Sequence, residues 1–166
     1  MHRRNLIVML GIAMFPAACA QPVSKFRSYH GPAVTSLVLF KARREILVMN
    51  GNDVLTRYGF QLGFAPVGPK QVEGDGKTPE GTYRINRRNP NSQYHLSLGI
   101  SYPNTNQVAA AVAMGQSAGG EIFIHGTPRR NEGDQDWTAG CIAISNAEIE
   151  QLYAMVRDGT PVFILP

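Results

Sequence analysis

The chain has 166 residues, of which 43% are hydrophobic and 17% charged, with a formal net charge of +4 and two cysteines. This composition excludes a disordered or collagen-like chain and indicates one packed domain. Two cysteines are too few for a disulfide-rich scaffold, and they form no CxxC metal-binding motif. The 17 glycines and 11 prolines exceed the usual combined share of roughly 12%, which favours short strands joined by turns over a helix bundle.

Residues 1–20 have the pattern of an export signal. A basic start, Met1 to Arg4, precedes an apolar run from Leu6 to Phe15, which is too short to span a bilayer as a helix. The small residues that follow fit two processing schemes. The ending Ala-Ala-Cys resembles a bacterial lipobox, with cleavage before Cys19 and a membrane-anchoring lipid on it; the alternative is signal peptidase I cleavage after Ala20. The competing interpretation is an internal core helix.

Under either export scheme, Cys141 is the only thiol left in the exported chain. A lone thiol in an oxidising compartment has no disulfide partner. Cys141 is therefore either a reactive residue or an inert, buried side chain of the kind that free cysteines often are. Loss of residues 1–18 also removes Arg3 and Arg4, leaving 14 basic against 12 acidic residues. This balance argues against nucleic-acid binding.

The pattern after the signal predicts a tether or lead-in over residues 21–34 and a mainly β domain over residues 35–166. Short apolar or alternating runs predict strands, at 36–40, 45–49, 54–58, 60–64, 82–85, 93–98, 121–125 and 160–165. A Gly/Pro-rich loop occupies residues 65–81.

Two helices are predicted. The first is an Ala-rich segment, 108–114. The second begins at Ser145, because a Glu at position 148 completes a capping-box pattern. Apolar residues at helical spacing follow, and Gly159 is placed to end the helix.

Residues 124–146 are the strongest candidate for chemistry. Cys141 lies between Gly140 and an apolar run, so its backbone is expected at a loop-to-strand junction with the thiol partly exposed. A cysteine nucleophile needs a base, and His125, 16 residues earlier at the end of a predicted strand, is the best placed. The amides of Gly140 and Cys141 could form an oxyanion hole.

Ordinary interpretations of the same residues stay open at this point. Cys141 could be an inert core residue and His125 a structural histidine. A Cys–His pair alone has too few ligands for a zinc site, so no metal is expected. His95 is a second candidate base, although its place in a predicted strand favours a core or surface role.

Four segments in chain order carry a resemblance. They are Gly74-Asp75-Gly76-Lys77-Thr78-Pro79-Glu80-Gly81-Thr82-Tyr83, His95-Leu96-Ser97-Leu98-Gly99-Ile100-Ser101-Tyr102-Pro103-Asn104, Ile124-His125-Gly126-Thr127 and Asp136-Trp137-Thr138-Ala139-Gly140-Cys141. Together they resemble the L,D-transpeptidase catalytic domain family (YkuD-like), in its ErfK/YafK-type branch. The resemblance implies a mainly β fold, a β-sandwich or barrel with one or two short helices. It also implies a periplasmic or cell-envelope location and peptidoglycan stem peptides as substrate, without a cofactor.

The resemblance also assigns residues. The family's catalytic pattern matches, in chain order, His125 as base, Thr138, Gly140, Cys141 as nucleophile, and Asn146. Two positions depart from it: Ala139 replaces a His and Ala143 replaces an Arg. The first leaves His125 as the only imidazole expected near the thiol, and the second removes a cation that could bind a substrate carboxylate.

Further substrate-binding candidates surround this pattern. They are Trp137, Gly126, Arg129, Arg130 and Tyr102. Arg129 and Arg130 belong to the loop between base and nucleophile, which could act as a lid that contacts stem carboxylates or could be an ordinary solvated loop. Trp137 could form a wall of the pocket or anchor the core.

The expected reaction is acyl transfer through a thioester on Cys141. The resemblance implies cleavage after the third residue of a donor stem and release of the terminal D-residue. Attack by an amine gives a 3–3 cross-link, exchange or attachment, whereas attack by water makes the same site a hydrolase, amidase or L,D-carboxypeptidase. Because of Ala139 and Ala143, a catalytically inactive cell-wall-binding lipoprotein is also considered.

Overall fold

A computed structural model describes residues 24–166 of the protein. The predicted export signal, with Cys19, and the first residues of the tether lie outside this range. The strands are β1 Ser36–Phe40, β2 Glu45–Asn50, β3 Asp53–Gly59, β4 Gly81–Asn89, β5 Ser97–Ile100, β6 Phe123–His125, β7 Ile142–Ala143 and β8 Pro161–Leu165. The helices are α1 Thr105–Ala113 and α2 Asn146–Met155, with a short 3-10 turn at Arg129–Asn131. Among residues 24–166, no helix is long and apolar enough to cross a membrane.

All eight strands join one curled sheet in the order β3-β2-β1-β8-β4-β5-β6-β7, which confirms the expected mainly β fold. The last strand, β8, lies parallel to β1 and antiparallel to β4 in the middle of the sheet. At one edge, β6 and β7 pair in parallel, with His125 opposite Ala143. This short parallel pair connects the strand that carries the histidine to the strand that follows Cys141.

Alternating side chains form the core. In β1 Leu37 and Leu39 are buried and in β2 Ile46 and Val48 are buried, while their neighbours are partly exposed, as the two-residue period of a strand requires. Strand β5 is buried at every position, and α2 packs on β5 and β6.

The helix ends follow their capping residues. The predicted box at Ser145 is confirmed: its hydroxyl accepts the Glu148 N–H at 3.3 Å, and the Glu148 carboxylate accepts the Ser145 N–H at 2.9 Å. Helix α1 begins at Thr105, earlier than predicted, because Asn104 and Gln107 form a second capping box. Gly159 does not end α2; it lies in the turn before β8 at φ +88°, where its N–H binds the Ile85 carbonyl.

Several predicted strands differ from the structure in extent; β6 begins only at Phe123, and β4 continues past the predicted end at Ile85 to Asn89. Residues 60–64 form no strand and make only isolated bridges, Gln61 with Ala143 and Gly63 with Thr138, because this segment runs beside the nucleophile loop. The strand predicted over 93–98 begins only at Ser97, since the backbone turns at His95, whose φ is +73°. Strand β7 starts directly after Cys141, which confirms the loop-to-strand junction.

Candidate active site

Cys141 is fixed by contacts between its own loop and the Gly/Pro-rich loop. Gly140 has a φ of +128°, and a Cβ there would lie 2.5 Å from the Lys77 carbonyl oxygen, so glycine is required. The Thr78 hydroxyl donates to the Gly140 carbonyl at 2.9 Å. The backbone before the nucleophile is therefore held in one place.

Thr138 closes the same loop from within. Its hydroxyl donates to the Cys141 carbonyl at 2.7 Å and accepts the Gly140 N–H at 3.2 Å. Thr138 is thus a loop-building residue, and its side chain is buried. The expectation that the Gly140 amide binds an oxyanion is corrected, since that N–H is already donated. The Cys141 amide has no hydrogen-bond acceptor among residues 24–166.

His125 ends β6 and is only 3% exposed. Its Nδ1 lies 2.7 Å from the Gly126 carbonyl oxygen. Because a carbonyl can only accept, Nδ1 carries the hydrogen and Nε2 is the basic nitrogen of the neutral ring. Burial lowers the pKa of His125, outweighing the hydrogen bond to Gly126, which raises it. The ring is therefore neutral at pH 7 and able to accept a proton.

Two aromatic side chains enclose this imidazole. Tyr94 stacks on it, with ring centroids 4.4 Å apart and planes at 27°. Trp137 meets it edge-on at 5.8 Å but does not itself line the cavity that His125 shares with Cys141. The Trp137 indole nitrogen is buried without a hydrogen-bond partner among residues 24–166. Sequence reasoning missed Tyr94, because nothing in its local pattern indicates a contact between this turn residue and the end of β6.

His125 and Cys141 line the same cavity, of about 320 Å³, together with Tyr94, Ser97 and Glu121. No Lys or Arg lines it. A larger cavity of about 650 Å³ lies between the lead-in and α2, and neither a cysteine nor a histidine lines it, so its size does not mark it as the reaction site. Within residues 24–166, no cluster of three metal-binding side chains occurs.

The Cys141 thiol is partly exposed and donates to the Glu121 carbonyl oxygen at 3.4 Å. Burial raises the pKa of Cys141; the Phe123 N–H and the Lys70 charge lower it but do not outweigh burial. Both members of the pair are therefore uncharged at rest. The arrangement suits a mechanism in which the imidazole takes the thiol proton as the sulfur attacks its substrate, rather than one that starts from a preformed thiolate.

We expect the alkylation of Cys141 by iodoacetamide to be slow at neutral pH and to accelerate above the ordinary thiol range, because burial keeps the proton on sulfur. Mass spectrometry of the labelled protein at a series of pH values gives the rate, with glutathione in parallel to correct for the reagent. A fast rate that stays constant between roughly pH 6 and 8 would instead indicate a preformed thiolate–imidazolium pair.

Several other predicted site residues lie outside this cavity. Arg129 and Arg130 are exposed in the 3-10 turn and do not line it. Tyr102 is only 6% exposed, its hydroxyl donates to the Ala118 carbonyl at 3.0 Å, and burial together with the Asp75 charge raises its pKa to about 12. Its predicted substrate contact is corrected to a structural role. His95 also lies outside the cavity and binds Glu150.

Gly126 and Asn146 pack against each other instead of lining the cavity. A Cβ on Gly126 would meet the Asn146 Oδ1 at 2.3 Å, and that oxygen is buried without a hydrogen-bond partner among the described residues. Asn146 and Ala143 line a second cavity of about 380 Å³. Gly126 therefore supports His125 through its carbonyl. Ala143, which replaces the Arg of the family pattern, is only 1% exposed.

The loop before Cys141 is anchored at Asp136. Its carboxylate accepts two hydrogen bonds from Arg44, at 3.0 and 2.6 Å, and one from the Leu62 N–H at 3.0 Å. Partial burial alone would raise the pKa of Asp136, but these hydrogen bonds outweigh burial and lower it. Asp136 thus belongs to the scaffold, not to a substrate-binding lid.

Replacing Asp136 by asparagine is expected to lower the free energy of unfolding by roughly 1–2 kcal/mol at pH 7, since charge-assisted hydrogen bonds are lost. Because the folded-state pKa is lowered, this difference should shrink as the pH falls through that value. Urea unfolding at neutral and acidic pH measures both effects. Asp134→Asn, an exposed change in the same loop, should have little effect; equal losses from both variants would contradict the anchor.

The sequence model of the YkuD family, described as the L,D-transpeptidase catalytic domain, matches residues 35–164. The chain belongs to this family. The matched range contains strands β1 to β7, both helices, His125 and Cys141, and all of β8 except its last residue, Leu165.

Relatives of this L,D-transpeptidase domain agree with the assignment. YafK of Escherichia coli (strain K12) is 32% identical over 102 residues, which are 60% of this chain and 36% of that protein. The chain therefore spans about a third of the length of that curated relative. This relative agrees with the ErfK/YafK-type resemblance.

Solved structures share the fold. The helical cell shape determining protein Pgp2 from Campylobacter jejuni is 25% identical with a TM-score of 0.62, covering 82% of this chain and 49% of that one. An L,D-transpeptidase from Mycobacterium smegmatis is 17% identical with a TM-score of 0.55, covering 81% and 59%. The second similarity concerns the fold alone.

Proposed function

We propose that this chain is a cysteine-dependent peptidoglycan L,D-transpeptidase that works through a thioester on Cys141. The observation that supports it best is the shared cavity, in which a neutral His125 and a protonated Cys141 thiol face the same space. Membership of the L,D-transpeptidase family supplies the substrate class, stem peptides of peptidoglycan.

The first half-reaction forms the acyl-enzyme. His125 Nε2 takes the thiol proton as the sulfur bonds to the carbonyl carbon of the third stem residue, and the Cys141 N–H stabilises the negative oxygen. The protonated ring then gives its proton to the nitrogen of the terminal D-residue. The C–N bond breaks, the D-residue leaves, and the thioester remains.

The second half-reaction uses the same base. An acceptor amine attacks the thioester carbon and loses a proton to His125, which returns that proton to the departing sulfur. Depending on the amine, the product is a 3–3 cross-link, an exchanged terminus or an attached molecule.

A hydrolytic role from the same site is the second candidate. With water in place of the amine, the protein would be an L,D-carboxypeptidase, hydrolase or amidase. Ala143 favours this candidate, because it removes the cation that the family pattern offers for a carboxylate. The similarity to a helical cell shape determining protein also fits an enzyme that trims stems to change cell shape. A catalytically inactive wall-binding protein would leave every stem peptide intact.

Incubation of the purified domain with tetrapeptide muropeptides separates these roles. Mass spectrometry of the products should show dimers or exchange of the terminal residue for an added D-amino acid. Tripeptides without dimers or exchange would favour hydrolysis and overturn the transferase assignment. Unchanged tetrapeptides from a folded protein would overturn both enzymatic roles.

We also propose that the protein works in the cell envelope, which its family and the pattern of residues 1–20 support. A lipid on Cys19 would attach it to a membrane. Fractionation and fatty-acid labelling of the full chain and of Cys19→Ser test this. Labelling that persists in Cys19→Ser would contradict the lipid, and a cytosolic wild-type protein would contradict export.

A further inference from the structure

A strained backbone turn lies next to the base. The Leu96 N–H binds the Tyr94 carbonyl oxygen at 3.0 Å, and the residue between them, His95, has a φ of +73°. This is a γ-turn with a non-glycine residue in the left-handed region, a conformation that persists only when surrounding contacts hold it.

Four side chains hold this turn, and we call them the clamp: Lys25, Arg27, His95 and Glu150. The His95 Nε2 lies 2.9 Å from a Glu150 carboxylate oxygen, and Arg27 lies 2.7 Å from the other. Lys25 donates to the His95 carbonyl oxygen at 3.1 Å and to that of Pro90 at 2.6 Å. The turn is therefore fixed by the lead-in on one side and by α2 on the other.

The turn contacts the base by two routes. The Tyr94 ring stacks on the His125 ring at 4.4 Å. The Tyr94 carbonyl also accepts the Gly126 N–H at 3.0 Å, and the Gly126 carbonyl is the group that fixes the His125 Nδ1 at 2.7 Å. A shift of the turn would change both the ring contact and the group that sets the tautomer.

We propose that Tyr94 is a positioning residue for the His125 base and that the clamp, through the γ-turn at His95, sets its place. This inference rests on the proposed function only in treating His125 as the base of the reaction. Its structural content, a lead-in that controls the surroundings of His125, can be measured without any substrate.

The titratable residues that line the cavity with His125 are Cys141, Tyr94 and Glu121, and the Glu121 carboxylate is paired with Arg87 at 3.1 Å. The other charged or titratable groups at this turn belong to the clamp and include Lys25, His95 and Glu150. Since Tyr94 covers one face of the imidazole, its removal would admit water there and favour the charged ring. Activity needs the neutral ring, so the acidic limb of the pH–rate profile would move to higher pH.

The first test compares Tyr94→Ala with Tyr94→Phe. NMR titration of the His125 ring, assigned with His125→Asn, should give a higher pKa in Tyr94→Ala and a nearly unchanged one in Tyr94→Phe, which keeps the stack. Transfer should fall on the order of ten- to a hundredfold in Tyr94→Ala, mainly in kcat. An unchanged His125 pKa in a folded Tyr94→Ala protein would overturn the positioning role.

The second test removes the clamp at a distance. Glu150→Ala and Arg27→Met should shift the His125 titration in the same direction as Tyr94→Ala. Gln151→Ala on the same helix and Arg57→Met on β3 are matched controls that should leave it unchanged. If the test and control variants gave the same His125 pKa, the role of the clamp would be contradicted. If the wild type lacks transfer but these titrations differ as expected, the proposed function fails and this inference stands.

Discussion

Replacing Cys141 by alanine is expected to abolish dimer formation and release of the terminal D-residue, with a loss of at least on the order of 10³-fold. The sulfur is the atom that bonds to the stem carbonyl, and the neighbouring groups retain no comparable nucleophile activated by His125. The fold should persist, since within residues 24–166 the thiol only donates to the Glu121 carbonyl and accepts from the Phe123 N–H. Circular dichroism and muropeptide analysis of the same sample measure both properties.

Ser97 provides the control for that result, because it is buried and lines the same cavity. Ser97→Ala should retain most of the activity. If Cys141→Ala kept its turnover and Ser97→Ala lost it, the hydroxyl would be the nucleophile and the thioester route would be wrong.

Replacing His125 by asparagine is expected to lower kcat by about 10²- to 10⁴-fold, the usual contribution of a general base. Asparagine can still donate to the Gly126 carbonyl, so the change removes the proton acceptor and spares that contact. His30→Asn, an exposed change in the lead-in, should have no effect.

The pH dependence gives a second readout of the same residue. Because burial lowers the pKa of His125, wild-type activity should persist below the ordinary histidine pKa and fall only as the pH drops through the lowered value. His125→Asn should lack this acidic limb. A variant that keeps the limb would show that another group is the base.

The sequence predicted the parts of the fold that depend on local patterns. The alternation in β1 and β2 and the capping box at Ser145 involve residues close in the chain, so the pattern contains the information. The insertion of β8 between β1 and β4 was not predictable, because it depends on pairing across the whole chain.

The features of the candidate site likewise divide into those that the sequence predicts and those that depend on the folded structure. His125 and Cys141 were identified from residue type and motif, and the structure brings them to one cavity. The occupied Gly140 amide and the buried Tyr102 hydroxyl depend on partners distant in sequence or on loop geometry. Tyr94 was missed for the same reason, since the adjacent turn at His95 is contacted by Lys25 of the lead-in and Glu150 of α2, which are far apart in the chain.

The most direct test of the account is a search for the acyl-enzyme. The protein is mixed with a tetrapeptide donor, quenched with acid and measured as an intact mass, followed by peptide mapping. We predict an adduct equal to the donor minus its terminal D-residue, located on Cys141 and absent from Cys141→Ala. Turnover of the donor with no adduct under any quench time, or an adduct on another residue, would contradict the thioester mechanism.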